Sequence, residues 1–283
     1  MLSGEPRHKT NVFASWISVR CHRVPGTSVT IRVVPVIILL LVWIPGATAF
    51  GQTDEIQVYD GGLADKGKLN LTVHNNFTPI GQKTQPFPGS LVADRSFNGV
   101  PEWAYRVTDW FEAGLYMPLY SFGKNRGALI DGAKIRLLFA APGADDRTFF
   151  YGANFEFSYN SKHWNSKRLS SEIRPIVGWH LRPVDLIFNP IVDTDYDGFG
   201  NLDFAPATRV AYNLRHRWAL AIEEYADYGH FRKFQPRSEQ SHQLFFVADH
   251  DTKFISVEAG IGVGLTSGSD RLALKLILSR NLN

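Results

Sequence analysis

Asp193-Thr194-Asp195-Tyr196-Asp197-Gly198 is the spacing in this chain that most resembles a chemical site. Carboxylates at alternate positions can turn their oxygens onto one calcium ion, and the glycine makes the sharp turn such a loop needs. A calcium loop of that kind closes with a bidentate Glu at its twelfth position, which here is Phe204. Asp and Gly are also the ordinary residues of tight turns. Asp193, Asp195 and Asp197 are therefore expected in a plain outer loop, with calcium as the minor reading and no resident metal or cofactor.

Nucleophilic hydrolysis needs a nucleophile and a base held together by the fold. His74, His163, His180, His216, His230, His242 and His250 are scattered along the chain, and only Ser161 with His163 and Ser241 with His242 are neighbours in sequence. Adjacency of that kind does not make a catalytic pair. There is no glycine-rich phosphate loop and no metal-ligand spacing. The expectation is a protein that is not an enzyme, with a lipid-modifying activity kept as an alternative.

The remaining polar chemistry is ionic. Glu102, Arg106, Glu112, Lys134, Arg136, Glu156, Glu172, Arg174, Asp185, Asp203, Arg209, Glu223, Glu258, Arg271 and Lys275 all fall on one parity of period-two segments, opposite an apolar stripe; Glu224 is the main exception. In Leu272-Ala273-Leu274-Lys275-Leu276-Ile277-Leu278 every even position is leucine, and Tyr151, Ala153, Phe155, Phe157 and Tyr159 alternate with Gly152, Asn154, Glu156 and Ser158. Period two is the signature of strands.

Twelve such segments can be drawn, near 67–77, 98–107, 110–120, 130–140, 149–159, 170–180, 183–192, 201–213, 218–227, 242–249, 254–264 and 270–282. Three features favour a membrane barrel over a soluble sandwich, which parity alone leaves equal. Segments of about ten residues match a tilted bilayer crossing. Aromatic residues such as Trp110, Tyr120, Phe149, Trp179 and Trp218 gather at segment ends, as interfacial girdles do. Long connections alternate with tight ones, and the even count allows a ring with no unpaired edge facing lipid.

Charge and leader agree with this. The chain carries 30 Lys/Arg and 27 Asp/Glu, but residues 1–50 hold five and one of them, leaving 25 and 26 and a net charge of −1 for the rest. The basic pI thus belongs to the leader and gives no support to nucleic-acid binding. Arg20, Arg23 and Arg32 precede the apolar run from Val33 to Ile44, and Pro45-Gly46-Ala47-Thr48-Ala49 follows it. That is a signal peptide with an extended basic region, cleaved after Ala49. The single cysteine, Cys21, lies within it.

Leader, alternation, loop asymmetry and the terminal strand together resemble the outer-membrane β-barrel proteins of Gram-negative bacteria, of the transporter type grouped with the phenol-degradation-pathway outer-membrane family. The resemblance covers about residues 52–283. It departs from the family at the end, where Leu282-Asn283 stands in place of an aromatic residue.

The resulting expectation is all-β: residues 1–49 a signal peptide, 50–66 a short periplasmic segment, and 67–283 one closed antiparallel barrel of about twelve strands in the outer membrane. Its lumen would pass small molecules by a constriction of Lys134, Arg136, Glu156, Arg174, Asp185, Glu223, Glu258 and Lys275. A sealed structural or surface-interaction barrel is the alternative, because the same residues can pair across the lumen and close it. The partners implied are outer-membrane lipids and lipopolysaccharide, the barrel-assembly machinery and a small solute. With only about sixteen residues between leader and first strand, the long plug domain of larger transporters is expected to be absent.

Overall fold

The structure is a computed structural model that describes residues 54–124 and 126–282. The leader, its cleavage site and Cys21 lie outside the described residues.

Fourteen strand segments follow one another: β1 (Leu69–Ile80), β2 (Ser96–Arg106), β3 (Phe111–Gly123), β4 (Gly127–Ala140), β5 (Phe149–Asn160), β6 (Leu169–His180), β7 (Val184–Asn189), β8 (Val192–Thr194), β9 (Asp203–Phe204), β10 (Ala207–Asn213), β11 (Trp218–Asp227), β12 (Ser241–Asp251), β13 (Ser256–Gly264) and β14 (Leu272–Asn281). All pairings are antiparallel, β5 pairs with β6, and β1 pairs with both β2 and β14, so the sheet closes on itself. The two short pieces do not add wall positions. β7 and β8 both pair with β6 and are separated by Pro190-Ile191, while β9 and β10 flank Ala205-Pro206. Neither proline has an N–H to give to a ladder, so each interrupts its strand. The ring has twelve strands, as the alternation predicts. The expected continuous segments 183–192 and 201–213 are the two that the prolines divide.

Most of the large apolar side chains on the strands face outward. Leu115, Ile135, Phe157, Ile222, Phe246, Ile261 and Leu276 are all exposed. An apolar surface of that extent is unstable in water and is what a lipid-facing belt requires. Aromatic clusters bound the belt. On one rim, Phe111 stacks on Phe139 at 4.9 Å, Phe149 meets Trp179 at 5.5 Å, and Trp218 lies over His250 at 4.2 Å. On the other, Phe97 contacts Tyr120 and Phe122 at 6.3 and 6.0 Å. The rim holding the longer connections, 81–95 and 228–240 among them, faces the cell exterior by the rule for such barrels.

The core sits inside the ring. Leu138, Phe150, Ile176 and Ile187 form one buried cluster, and Phe245, Val247, Ala211 and Ala273 form a second. Space for two inward phenyl rings is made by glycine on the paired strand. A Cβ on Gly178 would stand 2.0 Å from the Phe150 ring, and one on Gly262 would stand 2.3 Å from Phe245.

Both clusters include residues from before the first strand. Val58 and Tyr59 belong to one and Ile56 to the other. The segment from Asp54 to Ala64, expected in the periplasm, instead runs down the lumen. Asp54 lies beside Lys134 and Asn76, and Ala64 donates its N–H to Glu112 near the inner end of β3. The eleven residues of this segment thus pack inside the barrel.

Candidate functional site

The inward parity of β1 to β6 delivers charged and amide side chains around the segment. Lys134 Nζ donates to Asp54 at 2.9 Å and to Glu156 at 3.2 Å. Arg174 bonds Glu172 at 2.6 Å, the Gln57 carbonyl at 2.9 Å and Glu55 at 3.4 Å. Arg136 pairs with Glu102 at 2.6 Å and with Glu112. His74 Nε2 faces Glu102 at 3.3 Å.

Tyr59 is the centre of this arrangement. Its ring lies 4.5 Å from the Arg174 guanidinium and 5.6 Å from that of Arg136, and its hydroxyl is 2.7 Å from the Tyr116 hydroxyl. Its backbone N–H donates to Asn189 Oδ1 at 2.7 Å, and the Asn189 amide donates back to its carbonyl at 3.0 Å. A side-chain amide thus imitates a strand partner, which satisfies both backbone groups of one residue in a segment that belongs to no sheet.

A second cluster stands across the lumen. Lys275 Nζ donates to Glu223 and Glu258, each at 2.5 Å, and to the Ile56 carbonyl at 3.2 Å. Arg209 pairs with Glu223 and Asp249, and Glu258 is 3.5 Å away.

Of the eight residues expected at a constriction, seven therefore lie in two clusters against the segment. Asp185 does not join them. It sits at the inner end, 2.8 Å from His180 and 2.6 Å from the Asn213 amide. Arg136 is buried against Tyr59, whereas Lys134, Glu156 and Arg174 line open space. The three loop carboxylates diverge. Asp195 accepts from Asn165 at 3.1 Å, Asp197 pairs with Lys167 at 2.8 Å, and Asp193 is aligned with Glu172 on the neighbouring strand. No group that could hold a metal ion occurs among the described residues.

Asp54, Glu55, Tyr59, Asn189 and Asp249 were not anticipated as site residues. The alternation Ile56-Gln57-Val58-Tyr59 within the short segment 50–66 is the signal that points to them, since such a pattern argues for a half-buried extended segment.

Above the segment is a cavity of about 390 Å³, open toward the outer rim and bordered by Gln82, Trp164, Ser171, Gln243 and Asp270. Its walls carry eight carboxyl side chains against two basic ones, Lys134 and Arg174. Glu172, Asp193 and Asp203 stand side by side on β6, β8 and β9. Like charges directly opposed across a ladder cost stability.

A closed antiparallel ring with an apolar belt, two aromatic girdles and a charged interior defines an outer-membrane β-barrel. No family model matches the sequence, and no curated protein matches it significantly. Among solved structures, the chain is similar to an outer membrane channel from Pseudomonas putida F1, at 14% identity and a TM-score of 0.53, with 81% of this chain and 100% of that one covered. The KdgM porin in complex with disordered oligogalacturonate gives 7% identity and 0.49, over 76% and 99% of the two chains. LpxR from Salmonella typhimurium gives 7% and 0.39, over 75% and 99%. The first of these likenesses shows the fold.

Proposed function

We propose that the protein is a gated outer-membrane channel for small solutes, with a preference for cations, in which the segment Asp54–Ala64 is the gate. The observation that carries the reading is the way the segment is held. It shares no ladder with the wall and is fixed by side chains, chiefly Tyr59 with Asn189 and Lys134 with Asp54. Such contacts can be exchanged for water and solute without breaking the ring. The vestibule above it carries the charge excess that sets selectivity, since a wall of one sign concentrates counter-ions at a narrow passage. The likeness to a bacterial outer membrane channel agrees with this reading. Partners in this reading are outer-membrane lipids, lipopolysaccharide and the barrel-assembly machinery.

Planar-bilayer recordings test it. Tyr59→Ala combined with Asp54→Ala should raise single-channel conductance several-fold over the parent protein. In a salt gradient Glu172→Gln with Asp193→Asn should move the reversal potential away from cation selectivity. Folded protein that conducts in neither form is the sealed structural barrel, which the two buried clusters inside the ring would also suit.

A further inference from the structure

The connection between β11 and β12 is a shaped surface rather than a loose loop. Phe231 donates its backbone N–H to the Leu202 carbonyl at 2.7 Å, Gln235 to Tyr228 at 2.9 Å, and Gly229 to the Asp227 carboxylate at 2.8 Å. Gly229 has φ 72°, the left-handed conformation that lets the chain turn back at that point. His230 is 2.8 Å from Asp203.

These bonds place four rings together. Phe204 stacks on Tyr228 at 5.8 Å and on Phe234 at 6.2 Å, and Phe231 meets Phe204 edge-on at 5.5 Å. Phe204 follows inward-facing Asp203, and Tyr228 follows inward-facing Asp227, so both carry the outward parity of the wall. The cluster therefore continues the lipid-facing surface at the outer rim. Even so, Phe231 remains 56% and Phe234 47% exposed.

Between those two rings stand Arg232 and Lys233, both exposed and without an acidic partner among the described residues. The stretch 228–240 holds three Lys/Arg against one Glu in a chain whose charges are otherwise balanced. Aromatic rings at a rim sit at headgroup level, where one face is apolar and the other wet. Cations held there attract phosphate, and a guanidinium matches it with two parallel bonds.

We propose that Phe231-Arg232-Lys233-Phe234 is a docking site for a phosphorylated glycolipid of the outer leaflet. The two cations take a headgroup phosphate, and the ring cluster takes the adjoining sugar face and the root of an acyl chain. The proposal rests on the outer-membrane reading of the fold.

Native mass spectrometry of the detergent-solubilised protein with lipid A, and with lipid A stripped of its phosphates, tests it. The parent protein should retain the phosphorylated form preferentially. Arg232→Ser and Lys233→Ser should each lower that retention by about five-fold, the worth of one cation near a charged headgroup surface. Phe231→Ala with Phe234→Ala should weaken both lipid forms. Equal retention by parent and cation variants, or no preference for phosphate, overturns the proposal. The heat-dependent gel shift of a closed barrel, run on the same samples, separates the two readings, because its absence would count against the membrane barrel itself.

Discussion

The charged side chains of the lumen are worth most to each other. Lys275 has its side chain fully buried between Glu223 and Glu258, and the carbonyl of Ile56 takes a further bond. Removing one member of a buried ionic cluster leaves the others in a low-dielectric interior without compensation, at a cost of about 3–5 kcal/mol. Lys275→Met should therefore destabilise the folded barrel by about that much in urea unfolding from lipid vesicles, although methionine fills similar space. A loss under about 1 kcal/mol would mean that water screens the cluster. Arg136 is a different case. Because it is enclosed by Glu102, Glu112 and Tyr59, its removal should lower stability and leave ion selectivity to Lys134, which borders the vestibule.

At the scale of the strand, the period-two alternation is an almost complete description of the wall, because each inward or outward choice is made locally by the pleat. Leu276 and Phe155 point to lipid, and arginine at either should cost roughly 2–4 kcal/mol at mid-membrane depth, read from the same unfolding curves. Ser158→Arg should be mild, since Ser158 borders the vestibule. Ala273 has inward parity but packs with Ile56 and Phe245, so arginine there meets the occluding segment and is not tolerated as parity alone would suggest. What alternation did not reveal has the same explanation. Pro190 and Pro206 divide two strands by withholding an N–H, a signal that was present in the sequence. Asp54, Glu55 and Tyr59 acquire their partners from β1 to β7, more than a hundred residues downstream in the case of Asn189, and no local pattern specifies such a meeting. Asp185 shares the parity of the clustered charges but lies at the inner end beside His180 and Asn213, because parity gives a face and says nothing of height along the barrel axis.

For the whole molecule, closure and belt make one prediction. The protein should fractionate with the outer membrane and migrate faster unboiled than boiled, and recovery as a soluble monomer from native extracts would contradict the lipid-facing assignment. Closure also constrains time. The ring is completed by β1 against β14, with Asn70 opposite Asn281 and Thr72 opposite Ser279. The occluding segment precedes β1 in the chain yet ends up enclosed. Either it threads through a finished cylinder already packed with Phe150, Tyr116 and Phe245, or the sheet wraps around it before the last seam zips shut. Wrapping is the sterically open course, and it makes the segment a mandrel: the ionic partners that later hold it as a stopper would first recruit strands to the correct curvature, so that one short stretch of chain serves the making of the barrel before it serves the working of it.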